Sequence, residues 1–142
     1  MTDRTFLDTN VLVYVFDRGS PRRQSIAQDI LRRAVLSGRA SLSTQVLKEF
    51  YVTVTRKLKP PVDAKAALRA AKDFAALHVV QVDPRMIIKA IELSQAEQTS
   101  FWDGLIIQAA LDSGCRILLS EDLQHGRKYN GLEVENPFLR KA

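Results

Sequence analysis

Short apolar runs alternate along the chain with longer stretches in which apolar positions recur every three or four residues. The first pattern predicts strands and the second amphipathic helices. Residues 5–7, continuing past Asp8 into the run from Val11 to Val15, read as a buried strand and its exit. Residues 21–37 predict a helix with Ser20 as its cap, Pro21 at its first position and Gly38 as its end. Residues 40–43 predict a short strand. A helix follows from Thr44 to about Leu58, stopped before Pro60-Pro61. Further helices are predicted over 63–77, with Asp63 as cap, over 84–98, and over 100–113, closed by Gly114. Strands are predicted over 78–82 and 116–119, with a last short one at 133–134.

Strands separated by helices imply a parallel sheet covered on both faces, an α/β architecture. Ligands of such sheets bind beyond the carboxyl ends of the strands. Asp8 and Asp122 fall at two such ends.

Length adds one constraint: 142 residues make a single domain, residues 1–142, with a real core. With 46% hydrophobic and 26% charged residues, disorder and fibrous assembly are excluded. The formal charge of +5 is compatible with a polyanionic substrate and equally with mere solubility. The one cysteine, Cys115, excludes an intrachain disulfide and a cysteine zinc cluster, which suits a reducing compartment. Met1-Thr2-Asp3-Arg4 lacks a leader pattern, and no apolar run approaches the ~18 residues of a membrane span. A soluble, cytoplasmic protein with no membrane association is expected.

The acidic residues divide into two groups. Asp29 has Arg32 and Arg33 at helical spacing, Asp73 has Arg69, and Glu92 has Lys89, all ordinary solvated pairs. Asp8, Glu49, Asp103 and Asp122 instead lie among apolar residues with no such base. A carboxylate there costs several kcal/mol or shifts its pKa unless something compensates it. If the four converge, a hard divalent cation is the natural remedy, and it would activate water and neutralise phosphoryl charge. Each acid also has a plain alternative. Asp8 fits a turn cap and Glu49 a solvated helix edge. Asp103 fits the capping box begun by Ser100, and Asp122 fits a turn cap or the inert half of Glu121-Asp122.

Four segments in order over the chain resemble the PIN-domain family, most closely the VapC-type toxins of toxin–antitoxin pairs. They are Phe6-Leu7-Asp8-Thr9-Asn10-Val11-Leu12, Ser43-Thr44-Gln45-Val46-Leu47-Lys48-Glu49-Phe50-Tyr51, Ser100-Phe101-Trp102-Asp103-Gly104-Leu105-Ile106, and Leu118-Leu119-Ser120-Glu121-Asp122-Leu123-Gln124-His125-Gly126. The closing Gly131-Leu132-Glu133-Val134-Glu135-Asn136-Pro137-Phe138 is similar to the family's last strand and exit. The resemblance implies a three-layer α/β/α sandwich with a mostly parallel central sheet. It implies Mg2+- or Mn2+-dependent endoribonuclease activity, with Asp8 and Asp103 as main metal ligands and Glu49 and Asp122 completing the catalytic set. Asn10, Thr9 and Ser120 would support them, and Glu121 is a lesser candidate beside Asp122. It also implies a homodimer held inactive by a cognate antitoxin, with DNA bound only through that antitoxin.

Arg18, Arg22, Arg56, Lys57, Arg127 and Lys128 are candidate contacts to the RNA backbone. Trp102 is expected in the core, with stacking on a base as the alternative. A HAD-type phosphatase would need a second acid where Asn10 stands. A catalytically dead RNA- or partner-binding module is the non-enzymatic rival. No G-x-S-x-G, P-loop or G-x-G-x-x-G is present, and the two histidines, His78 and His125, do not suggest a histidine metal site.

Overall fold

The computed structural model describes residues 4–139; Met1 to Asp3, read above for a leader, and residues 140–142 lie outside them. The elements run β1 (Thr5–Leu7), α1 (Thr9–Tyr14), α2 (Pro21–Ser37), β2 (Ala40–Ser43), α3 (Thr44–Arg56), α4 (Ala64–Ala75), β3 (His78–Val80), α5 (Pro84–Glu97), α6 (Phe101–Asp112), β4 (Ile117–Leu119), β5 (Lys128–Tyr129) and β6 (Leu132–Glu135). They build an α/β fold in which helices flank one sheet of order β3-β2-β1-β4-β6-β5. Only the β5–β6 pair is antiparallel.

The chain builds outward from β1 on one side through β2 to β3, and on the other through β4 to β6. The order in which strands are added therefore reverses between the parallel neighbours β1 and β4, the place where open parallel sheets leave a crevice at their carboxyl ends. Leu7 pairs with Leu119, so Asp8 and Ser120 emerge side by side at that crevice.

The predicted continuation of the first strand into residues 11–15 is corrected: Thr9–Tyr14 is helical. An apolar run this short is compatible with either structure. Asp8 caps it, accepting from Thr9 N, and Val11, Leu12 and Val13 are buried. The β5–β6 hairpin was also unanticipated. Its turn holds Asn130 and Gly131 at φ 47° and 87°, the left-handed conformation that suits Asn-Gly.

Helix ends follow local chemistry. Ser43, Asp63, Asp83 and Ser100 each cap with a side-chain oxygen, whereas Ser20 stands at its cap position without such a bond. Gly38 ends α2 in the left-handed conformation. Asp29 pairs with Arg32 and Arg33 as its spacing predicts.

Phe6, Leu7, Leu42, Leu118, Leu132 and Val134 bring the sheet's core to zero exposure. Phe50 stacks edge-on against Phe74 at 5.0 Å and lies 5.7 Å from Phe16, tying α3 to α4 and to the exit of α1. Helix α6 is buried from Gly104 to Ala110, as an apolar helix between other elements must be. A Cβ on Gly104 would lie 2.9 Å from Ala90 O, so its absence lets α6 press against α5. Among the described residues, no helix is long and apolar enough to cross a membrane.

Candidate active site

An open cleft of about 650 Å³ lies over the carboxyl ends of the strands, and Asp8, Glu49, Asp103 and Asp122 all line it. Each comes from a different element: Asp8 from the end of β1, Glu49 from α3, Asp103 from the first turn of α6, and Asp122 from the segment after β4.

Asp8 is 7% exposed. Its Oδ1 accepts from Thr9 N at 2.7 Å, and its Oδ2 accepts from Ser120 Oγ at 2.8 Å. Burial pushes its pKa up to about 6; these two bonds oppose the rise, and the charges of Asp122 and Glu49 add to it. Burial also raises Asp103, again with Asp122 and Glu49 contributing, while its bond with Ser100 opposes. Asp103 N donates to Ser100 Oγ at 3.0 Å, so the helix cap forms and the same residue still faces the cleft.

The small polar residues knit the set together. Asn10 Nδ2 donates to Asp122 Oδ2 at 3.1 Å, and Asn10 Oδ1 accepts from Glu121 N at 3.1 Å. Ser120 Oγ accepts from the Asp122 and Leu123 amides at 3.2 and 3.3 Å. Thr9 Oγ1 donates to Glu49 Oε1 at 2.8 Å. Gln45, missed in the sequence although it stands one helical turn before Glu49, donates to Glu49 Oε2 at 3.3 Å. Its own Oε1 is buried without a hydrogen-bond partner among the described residues.

Glu121 is placed elsewhere. Its carboxylate accepts from Tyr14 Oη at 2.5 Å and from Arg23 Nε at 2.6 Å. Burial, then this contact, raises Tyr14 to about 12. Glu121 is thus tied to α1 and α2 and does not line the cleft.

Of the six candidate bases only Lys57 lines the cleft, joined by Lys48, which sequence reasoning passed over, and by a further acid, Asp17. Arg22 donates to Phe138 O at 2.8 Å, Arg127 pairs with Glu97 at 2.8 Å, and Lys128 lies 3.9 Å from Glu133. Arg18 and Arg56 are exposed away from the cleft lining. Trp102 is corrected: it is not in the core but 63% exposed on the cleft wall, because its position in the first turn of α6 precedes the buried stretch. The histidines serve local bonds, His78 Nδ1 with Ser41 Oγ and His125 Nδ1 with Asn136 N.

Among the described residues, no group of three Asp, Glu, His or Cys side chains forms a complete metal-ligand set on its own. Four carboxylates around an open cleft nevertheless fit a hard cation that keeps several waters and takes only one or two protein carboxylates directly. Burial first, and the neighbouring carboxylates second, make ionised Asp8 and Asp103 costly, and with the unpartnered Gln45 oxygen they leave oxygen atoms that such a cation would satisfy.

Solved structures share this fold. A toxin–antitoxin complex from Klebsiella pneumoniae superposes with a TM-score of 0.69 at 16% identity, covering 94% of this chain and 97% of that one. A sarcin–ricin loop cleaving VapC toxin of Mycobacterium tuberculosis gives 0.62 at 21% identity, over 80% and 86%. DNA-bound VapBC from Salmonella typhimurium gives 0.63 at 19% identity, over 94% and 98%. No match is found among curated protein sequences. The PIN domain family model matches residues 5–130, nearly the whole of the described chain. The protein belongs to the PIN-domain family.

Proposed function

We propose that this protein is a Mg2+-dependent endoribonuclease, with Mn2+ as an alternative ion, and the toxin of a toxin–antitoxin pair. The observation that carries the reading is the buried Asp8 carboxylate, raised to about 6 and facing the same cleft as Glu49, Asp103 and Asp122. Asp8 and Asp103 would hold the metal, with Glu49 and Asp122 completing the set directly or through water. When bound, the ion supplies charge neutralisation at phosphorus and an acidified water.

The chain's own residues do the rest. Ser120, Thr9 and Asn10 fix the Asp8, Glu49 and Asp122 carboxylates through the bonds described. One carboxylate orients or deprotonates the attacking water, and in-line attack leaves a 5′-phosphate and a 3′-hydroxyl. Lys57 and Lys48 stand where they would meet flanking phosphates. Glu121 has no role in this set, because Tyr14 and Arg23 occupy its oxygens.

Family membership supports the nuclease reading, and the toxin–antitoxin complexes of the same fold support a cognate antitoxin as inhibitor. Homodimerisation, contact with DNA only through the antitoxin, and a cytoplasmic site of action complete the reading. The phosphatase alternative fits less well, since Asn10 is a hydrogen-bonder to Asp122 and Glu121 where that chemistry needs an acid.

The test is metal-dependent cleavage of cellular RNA by matched preparations of the wild type, Asp8→Asn and Asp103→Asn. Cleavage is expected from the wild type alone and is stopped by EDTA. Cleavage that survives both substitutions, or that ignores EDTA, overturns the mechanism.

A further inference from the structure

The cleft has a wall that hydrolysis of a phosphodiester bond does not itself require. Trp102 stands at the second position of α6, immediately before Asp103, with 63% of its surface exposed. A Trp so placed forgoes the burial that usually repays so large a side chain. It is not loose: the Phe101 ring meets it edge-on at 5.0 Å and 71°, supporting the indole from one side. Ile106, one turn further along α6 and nearly buried, also lines the cleft. On α3 and just past its end, Lys48 and Lys57 line the cleft as well, and neither makes an ion pair among the described residues. The cleft thus presents carboxylates, free ammonium groups and one braced, exposed indole.

Ammonium groups suit the phosphates of any polynucleotide. An exposed indole suits the face of a base, and only an unpaired base can offer its face. We propose that Trp102 is a stacking platform for an unpaired nucleobase next to the scissile phosphate, so that the substrate engages as a single strand. This rests on the ribonuclease reading and adds to it the residue that grips the base.

Trp102 is the only tryptophan in the chain, so its emission reports on the platform alone. The experiment uses the full chain carrying Asp8→Asn to suppress cutting, in every arm alike, and a fluorescein-labelled single-stranded RNA 12-mer of random sequence. Binding is read both by anisotropy of the label and by indole emission. Quenching of the indole at saturation is expected. Trp102→Ala is expected to weaken binding about 5- to 100-fold, with Trp102→Phe restoring most of it. A duplex of the same length is expected to bind without quenching.

Unchanged emission at saturation, unchanged affinity of Trp102→Ala, or equal quenching by the duplex overturns the proposal. So does a Trp102→Ala protein that keeps its RNA affinity and loses only that for a protein inhibitor. The wild type in RNA cleavage separates the two levels. Cutting that is indifferent to Trp102→Ala removes the platform and leaves the nuclease, whereas no cutting and no RNA binding removes both.

Discussion

Ser120 Oγ donates to Asp8 Oδ2 at 2.8 Å across the point where the strand order reverses. The same oxygen accepts from the Asp122 and Leu123 amides. One buried hydroxyl therefore sets the Asp8 carboxylate and the turn that carries Asp122. Ser120→Ala removes a bond that holds the Asp8 pKa down, so that pKa moves further up from about 6. Metal-dependent cleavage is expected to fall about 10- to 100-fold, as for other outer partners of metal ligands. The loss is expected to be larger at pH 6 than at pH 8, because ionised Asp8 is then scarcer. A pH–rate profile checks both, and equal losses across the range count against the assignment.

Asp8 also makes a prediction about stability without metal. Its folded pKa of about 6 lies above the ordinary value of 3.8. The folded state therefore holds the extra proton between those values, and stability falls as pH rises through that window. Below it the group contributes nothing, and above it the full cost applies, about 3 kcal/mol for roughly two pH units. Asp8→Asn is expected to raise the metal-free melting temperature at pH 7.5 and to leave it nearly unchanged at pH 4. Added Mg2+ is expected to stabilise the wild type at pH 7.5 and not the variant. Thermal melts with and without EDTA decide it.

The longer helices were legible because their ends carry local chemistry: Pro21 and Gly38 bound α2, Pro60-Pro61 follow α3, and Asp63 and Ser100 cap α4 and α6. The four acids were legible as residues without a helical partner, and the fold brings all four to one cleft. What sequence could not give was direction. Residues 11–15 read as strand because an unbroken apolar run lacks a period, whereas in the structure Asp8 caps a helix over Thr9–Tyr14. Trp102 read as core because large aromatic side chains are mostly buried, yet the first turn of a buried helix still emerges at its end. Glu121 and Asp122 are adjacent, and the family pattern already ranked Glu121 second; the Tyr14 and Arg23 contacts now give Glu121 a separate place, while Asp122 lines the cleft.

That separation is testable. Glu121→Gln loses the ion pair with Arg23 while leaving the cleft's carboxylates in place. It is expected to lower the melting temperature measurably and to retain most of the cleavage rate and the metal affinity. Asp122→Asn is expected to do the reverse, with little change in melting and a large loss of cleavage. Calorimetric metal titration beside the rate measurement distinguishes them. A Glu121→Gln protein that no longer binds metal would return Glu121 to the ligand set.

The position of Asp103 depends on the residue that follows it. Gly104 has no side chain to keep α6 from α5, and a Cβ there would stand 2.9 Å from Ala90 O and 3.3 Å from Ser94 Cβ. The first of these is backbone, which does not swing aside as the end of a long side chain does. Gly104→Ala gains helix propensity of up to about 1 kcal/mol and still has to push a pair of packed helices apart. Overpacking of this kind costs about 1–3 kcal/mol, so a net loss of stability is expected. Separating α5 from α6 at that turn also shifts Asp103 relative to Asp8, since α6 carries the first and β1 positions the second. Cleavage is therefore expected to fall further than stability alone explains, including at temperatures where the variant is fully folded. Circular dichroism melts check the loss of stability, and cleavage rates at 20 °C check the displaced carboxylate. A stabilised Gly104→Ala protein with full activity would mean that the close approach of α5 and α6 does not position the carboxylate.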